Sequence, residues 1–139
     1  MAMHRIDITY DSRLSLSDLF AALADHNRLG TVFGVPVRRI RDGQTEPNGV
    51  GSVRKIGPGP LGIEETVTAL APNESIDYRI TRGGFPIKNH RGHIEFSAGA
   101  GSGSRVEWTI EFDSALPLAG SVLGFVLKQA INTGLKRLG

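Results

Sequence analysis

Apolar and polar residues alternate along most of this chain, and the period of the alternation changes at a few definable points. Residues 5–10 set Ile6, Ile8 and Tyr10 against Asp7 and Thr9, the period of a half-buried strand. The period then becomes helical: Leu16, Leu19, Phe20 and Leu23 share a face, and Ser15 followed by Asp18 supplies an N-terminal cap. The stretch from Asp25 to Gly34 carries Leu29, Val32 and Phe33 and predicts a second short helix, which Gly34-Val35-Pro36 ends.

From residue 36 to 113 the two-residue period returns. It predicts strands at 36–42, 50–56, 62–70, 75–82, 86–97 and 104–113. Turns fall at Asp42-Gly43, Pro47-Asn48-Gly49, Pro58-Gly59, Pro72-Asn73, Gly83-Gly84 and the run Gly99 to Gly103. With the first strand this makes seven. No intervening segment is long and apolar enough for a crossover helix, so the sheet is expected to be antiparallel. A last helix fits residues 115–138, with Pro117 in its first turn. It is apolar all round from Leu116 to Leu127 and polar on one side from Lys128 onward. That apolar half is too short to cross a bilayer, so it is expected to be covered by a sheet curled around it.

The strand period also assigns faces. Val106, Trp108, Ile110 and Phe112 point inward, as do Ile76, Tyr78 and Ile80. Ile94 and Phe96 carry His90 and Gly92 inward with them. Ile63, Val67 and Ala69 set a phase that includes Glu65, although Leu70 falls on the other face. Glu65, Tyr78 and His90 thus form a candidate acid-base set, since burial and mutual contact move such groups toward neutrality. The alternative is structural: Glu65 pairs with Arg54, Tyr78 hydrogen-bonds at the sheet rim, and His90 is a satisfied core residue.

Composition narrows the field. The 139 residues suffice for one hydrophobic core, and the expectation is one domain over 1–139. The chain has no cysteine, so disulfides and thiol catalysis are excluded. A net charge of +2 from balanced acids and bases does not imply nucleic-acid binding. No apolar leader is readable near Met1, and a cytoplasmic location is expected. Gly57-Pro58-Gly59-Pro60-Leu61-Gly62 matches a dinucleotide-binding spacing, but its prolines lack donors and a strand follows, so a hairpin turn is expected. His90 and His93 stand three apart on a strand and face opposite sides, so neither metal nor other cofactor is expected. Arg38, Arg39, Arg41, Arg54 and Lys55 gather positive charge that alternation divides between two faces.

The stretches Gly49-Val50-Gly51-Ser52-Val53-Arg54, Glu64-Glu65-Thr66-Val67-Thr68-Ala69-Leu70-Ala71-Pro72, Ile76-Asp77-Tyr78-Arg79-Ile80 and Ser104-Arg105-Val106-Glu107-Trp108-Thr109-Ile110 follow one another in an order that resembles the START-like (SRPBCC) superfamily. The likeness is to its polyketide cyclase/dehydrase and lipid-transport branch. It implies an α+β helix-grip fold, a curved sheet wrapped around the C-terminal helix, and a cavity between them that holds or carries apolar small molecules, with cyclase or dehydratase activity in some members. Three functions are expected from this. One is a carrier or sensor of a small hydrophobic ligand, lined by Arg54, Tyr78, His90, Ile94, Trp108, Ile110, Phe112, Val122, Phe125 and Val126. The second is a cyclase or dehydratase acting through Glu65, Tyr78 and His90. The third is a protein-interaction module using a sheet edge or the helix. Stable membrane insertion is not expected, and a homodimer is left open.

Overall fold

The computed structural model describes residues 3–59, 62–116 and 118–139. Pro60 and Leu61 of the expected glycine-proline turn, and Pro117 of the expected first helical turn, lie outside the described residues. Strand β1 (Met3–Ser12) leads into α1 (Leu16–Ala24), a 3-10 turn (His26–Arg28) and α2 (Gly30–Phe33). Then come β2 (Val37–Arg41), β3 (Val53–Ile56), β4 (Ile63–Ala71), β5 (Ser75–Arg82), β6 (Ile87–Ala98), β7 (Ser104–Ser114) and α3 (Ala119–Leu138). The strands form a seven-stranded antiparallel sheet in the order β1-β7-β6-β5-β4-β3-β2. This is the helix-grip fold, and local chemistry explains its joints. Ser15 caps α1 by accepting from the Asp18 amide at 3.2 Å. Asp25 caps the 3-10 turn through the Asn27 amide at 3.0 Å.

Cross-strand register gathers the inward residues into rows. One row runs Ile8, Trp108, Ile94, Ile76 and Leu70; the next runs Ile6, Ile110, Gly92, Tyr78 and Val67. Leu70 joins the inside because the register shifts between Val67 and Ala69, a bulge that reverses the phase of β4. The strand period alone cannot anticipate that reversal. A further row, Ile80, Glu65, Arg54 and Arg39, is largely polar. The strand expected at 50–56 begins only at Val53, because Gly49 to Ser52 closes a turn with a Ser52 amide to Gly49 carbonyl bond of 3.0 Å.

Helix α1 lies on β6 and β7 through Leu19 and Leu23, with Phe20 edge-on to Phe96 at 5.0 Å. Helix α3 is fastened at its C-terminal half, where Ile131 and Leu135 are fully buried and Gly134 meets α2. A Cβ at Gly134 would overlap the Val32 backbone, so this glycine permits the helix-helix approach. The other two glycines face β1: Gly120 leaves room for the His4 ring, which stacks on Phe112, and Gly124 rests near Ile6.

Helix α3 begins four residues later than expected, at Ala119 rather than residue 115, because Ser114 and Leu116 close a turn at 2.9 Å. Its apolar first half is not covered all round. Val122, Phe125 and Val126, expected to line the interior, are 63%, 66% and 57% exposed. The buried Ile131 and Leu135 define the inner face, and counting back at helical spacing places Leu127, Gly124, Leu123 and Gly120 on it. Among the described residues no helix is long and apolar enough to cross a membrane.

Replacing Gly134 by alanine should push α3 away from α2 and cost about 3 kcal/mol, since overlap with backbone cannot be relieved by a rotamer change. Urea denaturation measures this; a loss below about 0.5 kcal/mol would contradict the close approach.

Candidate functional site

The polar row of the concave face is organised by one buried guanidinium. Arg54 on β3 sits opposite Glu65 on β4, and both are buried. Its Nε donates to Glu65 Oε1 at 2.8 Å. Nη2 lies 2.7 Å from the same oxygen but off line, and among the described residues it is the one buried side-chain polar atom without a hydrogen bond. The guanidinium plane covers the Tyr78 ring at 4.6 Å, a cation-π contact.

Arg54 Nη1 points at His26 Nδ1, 3.3 Å away. His26 Nε2 is 2.7 Å from Ser52 Oγ, and that hydroxyl donates to the Gly49 carbonyl at 2.5 Å. Since the serine proton is committed to Gly49, Nε2–H donates to Ser52 and Nδ1 accepts from Arg54. The neutral Nε2–H tautomer is the one that fits. Burial, reinforced by Arg54 and then Arg39, lowers the His26 pKa to about 3. Neither His26 nor Ser52 was expected at this site. Ser52 lies two residues before Arg54 in the segment expected as a strand, which is a usable signal although the structure places it in the preceding turn; His26 lies in a turn where no period assigns a face.

Tyr78 and His90 flank the same pair. The Tyr78 hydroxyl accepts from Trp108 Nε1 at 2.7 Å, and the ring lies on Gly92, where a Cβ would overlap it. Burial pushes the phenol pKa up, and the Glu65 charge adds to the shift. The His90 ring centre is 5.5 Å from that of Tyr78. Its Nδ1 accepts from the Ile80 amide at 3.1 Å, so the neutral ring carries its proton on Nε2. Burial lowers the His90 pKa, with Glu65 opposing and Arg54 assisting. Nε2–H has no hydrogen-bond partner among the described residues.

The structure therefore brings Arg54, Glu65, Tyr78, His90 and Trp108 together on the concave face. Ile94, Ile110 and Phe112 share that face, but they and Trp108 are at most 1% exposed and leave no free space against them. Partial exposure is kept by Leu70, Phe20 and Phe33 around that centre, and also by Ile56, Ile63, Ile80 and Ile87 on the sheet and Leu123 and Leu127 on α3. His93 is on the outer face, bonded to Asp77, and cannot share a ligand with His90.

His26 gives this site a pH signature. Its folded pKa of about 3 lies below the unfolded 6.5, so the unfolded chain binds the extra proton as pH falls through that window. Stability is full above pH 6.5 and should drop by about 2 kcal/mol between pH 7 and pH 5 from this group alone. The lowered His90 acts in the same direction. Denaturant titrations of wild type and His26→Gln at both pH values should show a shallower pH dependence in the variant; equal slopes would contradict a buried neutral His26.

The matching family model, described as polyketide cyclase / dehydrase and lipid transport, spans residues 3–139. No curated protein matches the chain. Among solved structures, a Thermobifida fusca protein superposes with a TM-score of 0.77 at 18% identity, covering 97% of this chain and 93% of that one. A Nitrosospira multiformis protein gives 0.75 at 14% identity, with 98% and 97% covered. Ara h 8.0201 gives 0.71 at 15% identity, with 99% and 98% covered. At these identities the structures share the fold alone, while the family model covers nearly every residue. By that match the chain belongs to the polyketide cyclase/dehydrase and lipid-transport family, within the START-like (SRPBCC) superfamily.

Proposed function

We propose that this protein binds a small hydrophobic molecule, as a carrier or sensor in the cytoplasm, between the first half of α3 and the β3–β6 part of the concave face. The observation that carries this reading is the distribution of exposure. The centre of the concave face is filled by Trp108, Ile94, Ile110 and Phe112, while Ile63 and Ile80 toward its β3–β5 side and Leu123 on the inner face of α3 stay partly exposed. An apolar ligand removes that surface from water. His90 Nε2–H is the free donor next to it and would meet a single polar atom of the ligand.

The cyclase or dehydratase reading draws less support from the same groups. Tyr78 is held by Trp108 with its pKa raised, and Glu65 is committed to Arg54. In His90 the nitrogen that lacks a proton is occupied by the Ile80 amide, so the ring is arranged to donate a hydrogen bond and not to abstract a proton.

Leu123→Trp should fill the space without disturbing the packed half of α3. Titrated with the apolar fluorophore 1-anilinonaphthalene-8-sulfonate, wild type should bind, and the variant should bind at least about tenfold more weakly with an unchanged Tm. Equal affinities, or no binding by wild type, would remove the proposal.

A further inference from the structure

The outer face of α3 and the β5–β6 loop make up an apolar surface that the ligand reading does not use. Phe85 is 73% exposed and Leu118 85%, with Leu116, Val122, Phe125 and Val126 also exposed. They are continuous. The Ala115 amide bonds the Pro86 carbonyl at 2.8 Å, which sets the Phe85 loop beside Leu116, and the Val122 amide faces the Leu118 carbonyl one helical turn on. Phe125 and Val126 extend the stripe at helical spacing.

The charge around this surface has one sign within the segments that build it. Residues 82–94 contain Arg82, Lys88 and Arg91 and no acidic residue; residues 115–139 contain Lys128, Lys136 and Arg137 and no acidic residue. The acids that approach from neighbouring strands are engaged. Glu64 is 3.9 Å from Arg82, Asp113 accepts from Asn89 at 2.9 Å, and Glu111 accepts from Arg91 at 3.4 Å. Lys88 stands across from Asp113, and Lys128 borders Asp7, which is bonded to Arg5 at 3.0 Å; neither lysine forms an ion pair of its own among the described residues.

We propose that this face docks reversibly on an anionic lipid surface, with Phe85, Leu118 and Val122 entering the interfacial layer and Lys88 and Lys128 meeting lipid phosphates. Exposed aromatic and aliphatic side chains beside unpaired lysines are the composition of an interfacial anchor. The depth is peripheral, since the apolar stripe belongs to one half of one helix and one loop. A second copy is a poorer occupant: a two-fold contact through this face would bring two patches of the same positive sign together, with no acidic residue of these segments to neutralise them. The proposal is independent of the ligand reading, because it needs no space inside the fold.

Vesicle sedimentation tests it with the full chain, comparing pure phosphatidylcholine with equal parts phosphatidylcholine and phosphatidylglycerol. Wild type should pellet with the anionic vesicles only, and binding should weaken at least about tenfold on going from low to high salt, as screening requires. The Phe85→Ser, Leu118→Ser double variant and, separately, the Lys88→Glu, Lys128→Glu double variant should each lose binding at unchanged Tm. Leu123→Trp should keep it, which separates this test from that of the ligand site. Failure of wild type to bind anionic vesicles would overturn the proposal, as would binding unaffected by either double variant. A dimer in sedimentation velocity that the serine pair dissociates, without vesicle binding, would assign the face to a second copy instead.

Discussion

A guanidinium taken out of water is tolerated when its charge is matched, and in this protein that condition falls on Arg54. Its Nε and Nη1 are hydrogen-bonded, while Nη2 is held against Glu65 by charge alone. Glu65 supplies the charge from the neighbouring strand, Tyr78 supplies its ring face, and His26 accepts from Nη1. Each partner is constrained in turn. His26 must remain neutral with its proton on Nε2, which Ser52 and the Gly49 turn secure. Tyr78 must lie flat, which Gly92 allows, and its hydroxyl must take the Trp108 proton. One buried charge thus ties β3, β4, β5, β6, β7 and the turn after α1 into a single polar arrangement on an otherwise apolar face.

The arrangement also decides where a ligand has room. Rows of Ile, Trp and Phe side chains close the face between Ile8 and Leu70, and α1 covers them. Toward Ile80, Glu65 and Arg54 the rows become polar, and α3 is packed tightly only in its second half. Ile63 and Ile80 on the sheet and Leu123 on α3 keep part of their apolar surface exposed. In that setting His90 is a fixed donor, because the Ile80 amide has taken its acceptor nitrogen. The chemistry on offer is recognition of one polar atom on an apolar molecule.

Much of this was legible in the sequence, for identifiable reasons. Strand period placed Trp108, Tyr78, His90 and Glu65 inside because side chains in a strand alternate strictly between bulges. It misjudged Leu70 because a bulge adds one residue and reverses the phase, and nothing in Val67-Thr68-Ala69 marks it. Val122, Phe125 and Val126 were assigned inward because a helix apolar on every side has no face of its own; Ile131 and Leu135 in the second half hold that information. His26 escaped because a turn has no period, and its role depends on Arg54, 28 residues away.

Native mass spectrometry of the protein purified from its own cells tests the central claim most directly. The account predicts a retained or titratable non-covalent adduct, one small apolar molecule per chain, that Leu123→Trp abolishes. A chain that stays ligand-free after isolation and after exposure to extracted lipids and apolar metabolites would contradict it.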